Sequence, residues 1–323
     1  MVKVRSLISV SIAGILLFVV IRSLDIQTLY LAVTGLPLPP VLLGLSMSLM
    51  IVPVMAFRWR FLLAEIGSPP GYSTCIVDHW SGMSIGWATP SNIGWDAYRA
   101  TRMTLRMGRA GHQVAIILIE KFGRLSACIL IFIAMFTLQP SNVRQHLVEE
   151  FQIIEFLPVL VISAIVVVGL ILRYTEDISE YLRRKVAVIL VSWTGADESE
   201  MEDVRYSIRS MGGVVVISMF PVAIVSLGHL IFFSAMDIQI PFIQILLVVS
   251  ILDIVFSLPI SFGSLGVREV GYILAYGAFG ISPESAVLVS TLNLIGILNN
   301  SLIGAVFSRW SIDQSPDYTS SEE

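Results

Sequence analysis

Charged residues are scarce in this chain of 323 residues. Asp, Glu, Lys and Arg make up 14% of it and hydrophobic residues 55%, whereas a soluble domain usually carries about 25% charged residues. This composition excludes an ordinary soluble enzyme and a disordered protein. The mean hydropathy of +0.83 predicts an all-α, polytopic membrane helical bundle instead. At about 20 residues for each transmembrane helix, the apolar runs predict about seven to eight such helices.

Cysteine and recognisable catalytic motifs are also lacking. Cys75 and Cys128 lie far apart and form no CxxC pair, which excludes a disulfide scaffold. The four histidines are scattered, and no HExxH, Walker A or GxSxG motif is present. We therefore expect no enzymatic activity, no catalytic residue, no metal or other cofactor, and no nucleic-acid partner.

Seven apolar runs predict transmembrane helices in a single membrane domain over residues 1–310, which a disordered acidic tail follows over 311–323. They are Leu7–Ile21, Leu38–Phe57, His112–Leu138, Phe156–Leu172, Met211–Ala235, Pro241–Leu258 and Pro283–Phe307. Arg58, Trp59 and Arg60 predict the end of the second helix, because aromatic residues and cations gather where a helix leaves the bilayer.

Two further segments, 72–97 and 259–280, are apolar but interrupted. The first contains Pro90 and Gly94 among several polar residues, and the second contains Pro259, Gly263 and Gly266. Irregular backbone at membrane depth is tolerated only inside the protein or beside a polar cavity. We interpret both segments as re-entrant, with an extramembrane loop as the alternative for the first. A pair of interrupted segments is typical of a transport site.

The distribution of cations predicts the orientation. Lys3 and Arg5 precede the first apolar run, six arginines lie between residues 58 and 109, and the 173–210 loop is also rich in cations. Because loops rich in Lys and Arg stay in the cytoplasm, we expect a multi-pass protein of a prokaryotic cytoplasmic membrane with a cytoplasmic N-terminus. The side on which the C-terminus lies is left open.

Charged residues inside or beside the apolar runs are the candidate site. A charge at the bilayer centre costs about 3 kcal/mol, so such residues should face protein or water. Arginine forks suit phosphate groups. Three arginines are therefore predicted to bind a lipid headgroup: Arg99, Arg124 and Arg268. Four acids are predicted to orient or neutralise them: Asp96, Glu120, Asp253 and Glu269.

Simpler interpretations of these charges remain open. Glu120 and Arg124 are four residues apart and can pair on one helix face, as part of a structural ion cluster with Lys121. Asp253 needs a partner, for which Arg124 and Arg268 are the candidates, or it makes a helix–helix hydrogen bond. For His229, packing and hydrogen bonding are favoured over proton relay.

Three motifs resemble those of a known family. Residues 90–99 resemble a Pro…Gly-acid…Arg motif, and residues 120–124 resemble a charged helix start, with Lys121 where arginine is usual. Residues 259–269 resemble the signature P-x-x-x-G-G-x-G-x-R-E, with Ser264 in place of the second glycine. Together they are similar to the lysylphosphatidylglycerol synthase transmembrane-region family, also called flippase-like membrane proteins, from about residue 5 to 308.

The resemblance implies a function in lipid translocation without the family's soluble aminoacyl-transfer domain. It implies an anionic phospholipid or a polyprenyl-phosphate-linked lipid as substrate, with membrane lipids as partners. The alternative is a scaffold that does not transport and that binds an envelope glycosyltransferase or lipid synthase. The amphipathic segment Ile178–Trp193 and the acidic residues 197–203 would then form its docking surface.

Overall fold

The computed structural model describes residues 24–67, 69–87, 89, 93–107, 110–151, 208–257 and 266–312. Within these ranges all regular structure is helical, which confirms the predicted all-α class. The predicted helices Leu7–Ile21 and Phe156–Leu172, the segment Ile178–Trp193, the 173–207 part of the predicted loop and residues 313–323 lie outside the described ranges.

The helices are named here in chain order. They are α1 Ile26–Thr34, α2 Leu38–Leu63, α3 Tyr72–Trp87, α4 Ile93–Met107, α5 Ala110–Thr137, α6 Ser141–Phe151, α7 Ile208–Ala235, α8 Phe242–Phe256, α9 Val267–Gly277 and α10 Pro283–Ile312.

Three of the described helical segments are long and apolar enough to cross a membrane: Leu38–Ile66, Ser210–Ala235 and Pro283–Ser308. They confirm three predicted runs, while the total of seven to eight helices stays a prediction. The predicted end of α2 at Arg58 is wrong, because the helix continues to Leu63 and Arg58 is buried. Its neighbours on α5 and α7 supply partners for the guanidinium, so the cation does not mark a helix end.

The helices α2 and α7 run antiparallel through the bundle. Gly44 lies beside Phe232 and Gly228 near the start of α2, and Phe61 lies beside Gly213 near its end. At the far end, Ser210 Oγ donates a hydrogen bond to Glu65 Oε1 (2.7 Å). Glycine at the crossing leaves room for the Phe232 ring, which allows the two helices to pack closely.

The first interrupted segment forms a hairpin of α3 and α4. Gly82 and Gly86 lie within the segment predicted to be interrupted, but they do not break the backbone, since both are inside the regular helix α3. Trp95 of α4 packs directly over these two glycines, where a Cβ would collide with its side chain. At the turn, the Gly94 amide donates to Thr89 Oγ1 (2.8 Å). The glycines therefore make room for the partner helix, while Pro90 lies outside the described residues.

The second interrupted segment ends in the short helix α9, which packs against α8 through Gly271 and Leu252. α8 has 15 residues and α9 has 11, so they extend about 22 Å and 16 Å, less than the roughly 30 Å of a bilayer core. Tyr272 and Tyr276 contact α7 in parallel register, and this register places the start of α9 about halfway along α7. Pro259 and Gly263 lie outside the described residues.

The close contact between α3 and α10 gives a first testable prediction. A Cβ on Gly304 would overlap the backbone carbonyl of Trp80. We expect Gly304→Ala to lower the free energy of unfolding by about 1–3 kcal/mol, because backbone cannot yield as a side chain does. Thermal melting of purified protein in detergent measures the effect.

The matched control is Gly277→Ala, because a Cβ at this helical position meets nothing within 4 Å. This control should leave the melting temperature unchanged or slightly higher. Equal melting temperatures for the two variants would contradict the packing described for Gly304.

Candidate functional site

Three charged residues lie near the middle of α5, and together they contact three other helices of the bundle. Glu120 contacts α2 and α4, Lys121 contacts α4, and Arg124 contacts α8. We name α8 and α9, which pack against each other, the second hairpin; both hairpins therefore reach the middle of α5. We name the charged residues of α5 and their partners the central cluster.

The carboxylate of Glu120 is held by two buried arginines. Arg58 Nε donates to Glu120 Oε1 (3.2 Å) and Arg99 Nη1 donates to Glu120 Oε2 (2.8 Å). The side chains of Glu120 and Arg58 are only 2% and 4% exposed. Arg58 Nη1 also donates to Ser218 Oγ of α7 (2.9 Å). This single carboxylate therefore connects α5 to α2 and α4, and through Arg58 to α7.

The guanidinium of Arg99 is buried among polar and aromatic side chains. It donates from Nη2 to Asp96 Oδ1 (2.9 Å), and its Nη1 lies 3.2 Å from His79 Nε2. The rings of Trp59 and Trp95 lie 5.2 Å and 5.3 Å from its central carbon, close enough for cation–π attraction. The predicted headgroup contact of Arg99 stays a prediction, and in this conformation the residue is buried.

Two other cations of the central cluster, Lys121 and Arg124, are instead partly exposed to solvent. Lys121 Nζ lies 2.6 Å from Asp96 Oδ2 with 58% of its side chain exposed. Arg124 pairs with Asp253 and has 46% of its side chain exposed. Asp253 also accepts a hydrogen bond from the thiol of Cys128 (3.5 Å). Each open cation thus holds a carboxylate that belongs to one of the hairpins.

A further carboxylate ties the first hairpin together. Asp78 of α3 is fully buried and pairs with Arg102 and Arg106 of α4. Among the described residues of this region, six cations face four carboxylates, so the region carries net positive charge. The cations are Arg58, Arg99, Arg102, Arg106, Lys121 and Arg124, and the carboxylates are Asp78, Asp96, Glu120 and Asp253.

The start of α9 holds the remaining predicted residues. Gly266 has a φ of +78°, a conformation that glycine adopts without strain. Its amide donates to Glu269 Oε2 (2.7 Å), so Glu269 caps the helix. Arg268 and Glu269 are both buried. The headgroup role of Arg268 stays a prediction.

A comparison with protein families identifies the chain. The model described as the lysylphosphatidylglycerol synthase TM region matches residues 6–294, a range that includes both hairpins and α5. The chain belongs to this family. No curated protein and no solved structure matches it.

Membership in the lysylphosphatidylglycerol synthase transmembrane-region family confirms the resemblance inferred from the motifs. Together with the long apolar helices, it indicates a membrane-embedded, multi-pass protein of lipid metabolism or transport. Among the described residues, no three His, Cys, Asp or Glu side chains lie close enough together to hold a metal ion.

Of the two candidate partners for Asp253, Arg124 and Arg268, the structure shows an ion pair with Arg124. Glu120, by contrast, pairs with Arg58 and Arg99 rather than with Arg124. Sequence reasoning missed Arg58. Its spacing from the buried Met55 and Leu62 places it on the inward face of α2, and this periodicity was a signal that could have revealed it.

The buried network gives a second testable prediction. We expect Glu120→Ala to lower the free energy of unfolding by about 3–5 kcal/mol, because it leaves two buried guanidinium groups facing each other without their carboxylate. Glu120→Gln, which keeps one oxygen acceptor, should lose less. Chemical or thermal unfolding in detergent measures both variants.

Lys121→Ala is the matched control on the neighbouring position. Its ion pair is exposed, so its removal should cost less than about 1 kcal/mol. A Glu120→Ala variant as stable as Lys121→Ala would show that the network does not hold the bundle together.

Proposed function

We propose that this protein is a lipid translocase. It binds the anionic headgroup of a phospholipid or of a polyprenyl-phosphate-linked lipid and moves it across the cytoplasmic membrane. Family membership supports a function in lipid metabolism or transport. The geometry of the central cluster supports the choice of an anionic headgroup, and no group-transfer step is part of the proposal.

The observation that carries the proposal is the exposure of Lys121 and Arg124 near the middle of α5. This helix has 28 residues and is about 42 Å long, which is the length needed to cross a bilayer. It is not among the three described segments that are also apolar enough to do so, and the proposal is that it crosses with its charges facing a polar space. A charge that faced hydrocarbon at that depth would cost about 3 kcal/mol or more. The two cations therefore border a polar crevice, with room for water or for a headgroup.

The charge of the crevice favours a phosphate. Lys121 and Arg124 are open, and the buried cations behind them add to the positive potential. The phosphate oxygens of a lipid resemble the carboxylate oxygens of Asp96 and Asp253, which form ion pairs with Lys121 and Arg124 in this structure. A headgroup that enters the crevice therefore competes with both carboxylates for their partners.

This competition links binding to movement of the hairpins. Asp96 belongs to the α3–α4 hairpin and Asp253 to the α8–α9 hairpin. A lipid that replaces Asp253 frees the second hairpin from Arg124. One that replaces Asp96 removes one of two ion pairs between the first hairpin and α5, and the Arg99–Glu120 pair must open as well before that hairpin is released. Because the lipid binds the released arrangement better, it shifts the population toward it. Release of one hairpin and then of the other would open the crevice to each side in turn.

The buried arginines have a later role in this mechanism. Arg99 of α4 and Arg268 of α9 are buried, and they reach the headgroup only after a hairpin moves. Glu120 holds Arg99 in place until then, and Glu269 keeps the start of α9 capped. In this mechanism the arginine-rich region between residues 58 and 109 faces the cytoplasm, as the positive-inside rule predicts.

The third testable prediction compares removal of charge with its conservation. We expect Lys121→Gln combined with Arg124→Gln to slow transbilayer movement of a fluorescent anionic phospholipid in proteoliposomes by about tenfold or more, since charge-assisted hydrogen bonds are each worth about 1.5–3 kcal/mol. The exchange Lys121→Arg with Arg124→Lys keeps both charges and should retain most of the activity.

Equal stability of the two double variants in thermal melting excludes unfolding as the cause of a difference between them. Unchanged lipid movement in the glutamine variant would contradict the proposed site. A wild-type protein that moves no lipid, phospholipid or polyprenyl phosphate, would instead favour the scaffold function.

A further inference from the structure

A chain of polar side chains lies apart from the central cluster, between α9 and α10. The Tyr276 hydroxyl lies 2.8 Å from His229 Nδ1, and the Tyr272 hydroxyl lies 3.2 Å from His229 Nε2. Asn293 of α10 donates from Nδ2 to the Tyr272 hydroxyl (2.6 Å). Both ring nitrogens of His229 are therefore engaged, and the chain ends at the Asn293 amide.

A second polar chain begins two turns further along α10. Trp80 Nε1 of α3 donates to Asn300 Oδ1 (2.9 Å). Asn300 Nδ2 approaches both the carbonyl (3.1 Å) and the hydroxyl (3.3 Å) of Ser48 on α2. This chain therefore runs from the first hairpin to Ser48 and ends there.

The two chains face each other across a small cavity. Its volume is about 20 Å³, and both Ser48 and Asn293 line it. Gly44, Gly228 and Gly296, from three different helices, also line it. A Cβ on Gly44 or Gly296 would collide with Phe232 or Ser48, so these two glycines allow close packing, whereas Gly228 has room for a Cβ. A cavity of this size admits one water molecule, provided that polar partners are at hand.

Asn293 and Ser48, which line this space, each have an oxygen that can accept a further hydrogen bond. Asn293 makes one hydrogen bond among the described residues, through Nδ2, so its Oδ1 has no partner there. The Ser48 hydroxyl donates to the carbonyl of Leu45 (2.7 Å), which leaves its oxygen able to accept. Asn293 is half-buried, so its amide oxygen is within reach of water and can accept a hydrogen bond from it. A water can donate to both oxygens at once.

We propose that this cavity binds one water molecule, which donates hydrogen bonds to Asn293 and Ser48. The water joins the two chains into a single hydrogen-bonded path. It runs from Tyr276 and Tyr272 on the second hairpin, through α7, α10 and α2, to Trp80 on the first hairpin. The path gives the hairpins a shared contact that does not pass through the central cluster. It does not depend on the identity of the transported lipid.

Gly228→Ala tests the site because a methyl group fits there without a clash. A Cβ on Gly228 would lie 3.6 Å from the carbonyl oxygen of Gly44 and 3.9 Å from Met47 Cβ, both ordinary contact distances. Filling a dry cavity should raise the melting temperature, whereas displacing a bound water should lower it. The sign of the shift therefore distinguishes a wet cavity from a dry one.

The matched control is Gly212→Ala on the same helix, where a Cβ meets nothing within 4 Å. It reports the gain from replacing a helical glycine by alanine alone. We expect the melting temperature of Gly228→Ala to lie about 2–4 °C below that of Gly212→Ala. A Gly228→Ala variant that melts at or above the control would overturn the proposal.

Hydroxyl-radical labelling with a short X-ray pulse is a second readout, because radicals formed from a bound water oxidise its neighbours. Met47 lines the cavity, and Met50 is exposed on the outside of the same helix. We expect Gly228→Ala to reduce oxidation of Met47 and to leave Met50 unchanged. Oxidation of Met47 that is the same in both proteins would contradict a bound water.

Discussion

The buried carboxylate of Glu120 is the contact on which the arrangement of the bundle depends. It neutralises Arg58, which pairs with no other carboxylate among the described residues, and it shares Arg99 with Asp96. Through them it fixes α2 and the first hairpin against α5. Because Glu120 binds the two buried arginines, Lys121 and Arg124 bind the carboxylates of Asp96 and Asp253. These two cations are partly exposed, so their ion pairs can exchange partners.

The difference between buried and partly exposed ion pairs is the physical basis of the proposed transport. Pairs that are fully buried resist opening, whereas exposed pairs exchange partners at little cost. The exposed pairs are the ones that fasten the hairpin carboxylates Asp96 and Asp253 to α5. A lipid phosphate can replace the carboxylate of Asp96 or Asp253 at these cations without entering the buried ion pairs of Glu120. The inferred water between Asn293 and Ser48 adds a second link between the same hairpins, away from the site.

The sequence predicts the helical class and the apolar helices α2, α5, α7, α8 and α10, because periodicity and hydropathy are local properties, but it does not predict α1 or α6. It also limits the partner of Asp253 to two candidates, one of which is right. It does not predict that Arg58 reaches Glu120, since that contact depends on how α2 crosses α5. For the same reason, Gly82 and Gly86 suggest a broken helix until Trp95 is seen packed over them.

The most direct test of the central claim is the water accessibility of the middle of α5. Lys121→Cys, Arg124→Cys and Leu130→Cys can each be treated with a membrane-impermeant maleimide in intact membranes. The native Cys75 and Cys128 are buried and give little background. Leu130 is exposed on the same helix but apolar, so it should face lipid. We predict rapid labelling at positions 121 and 124 and little at 130. Labelling at 121 and 124 as slow as at 130 would contradict a polar crevice.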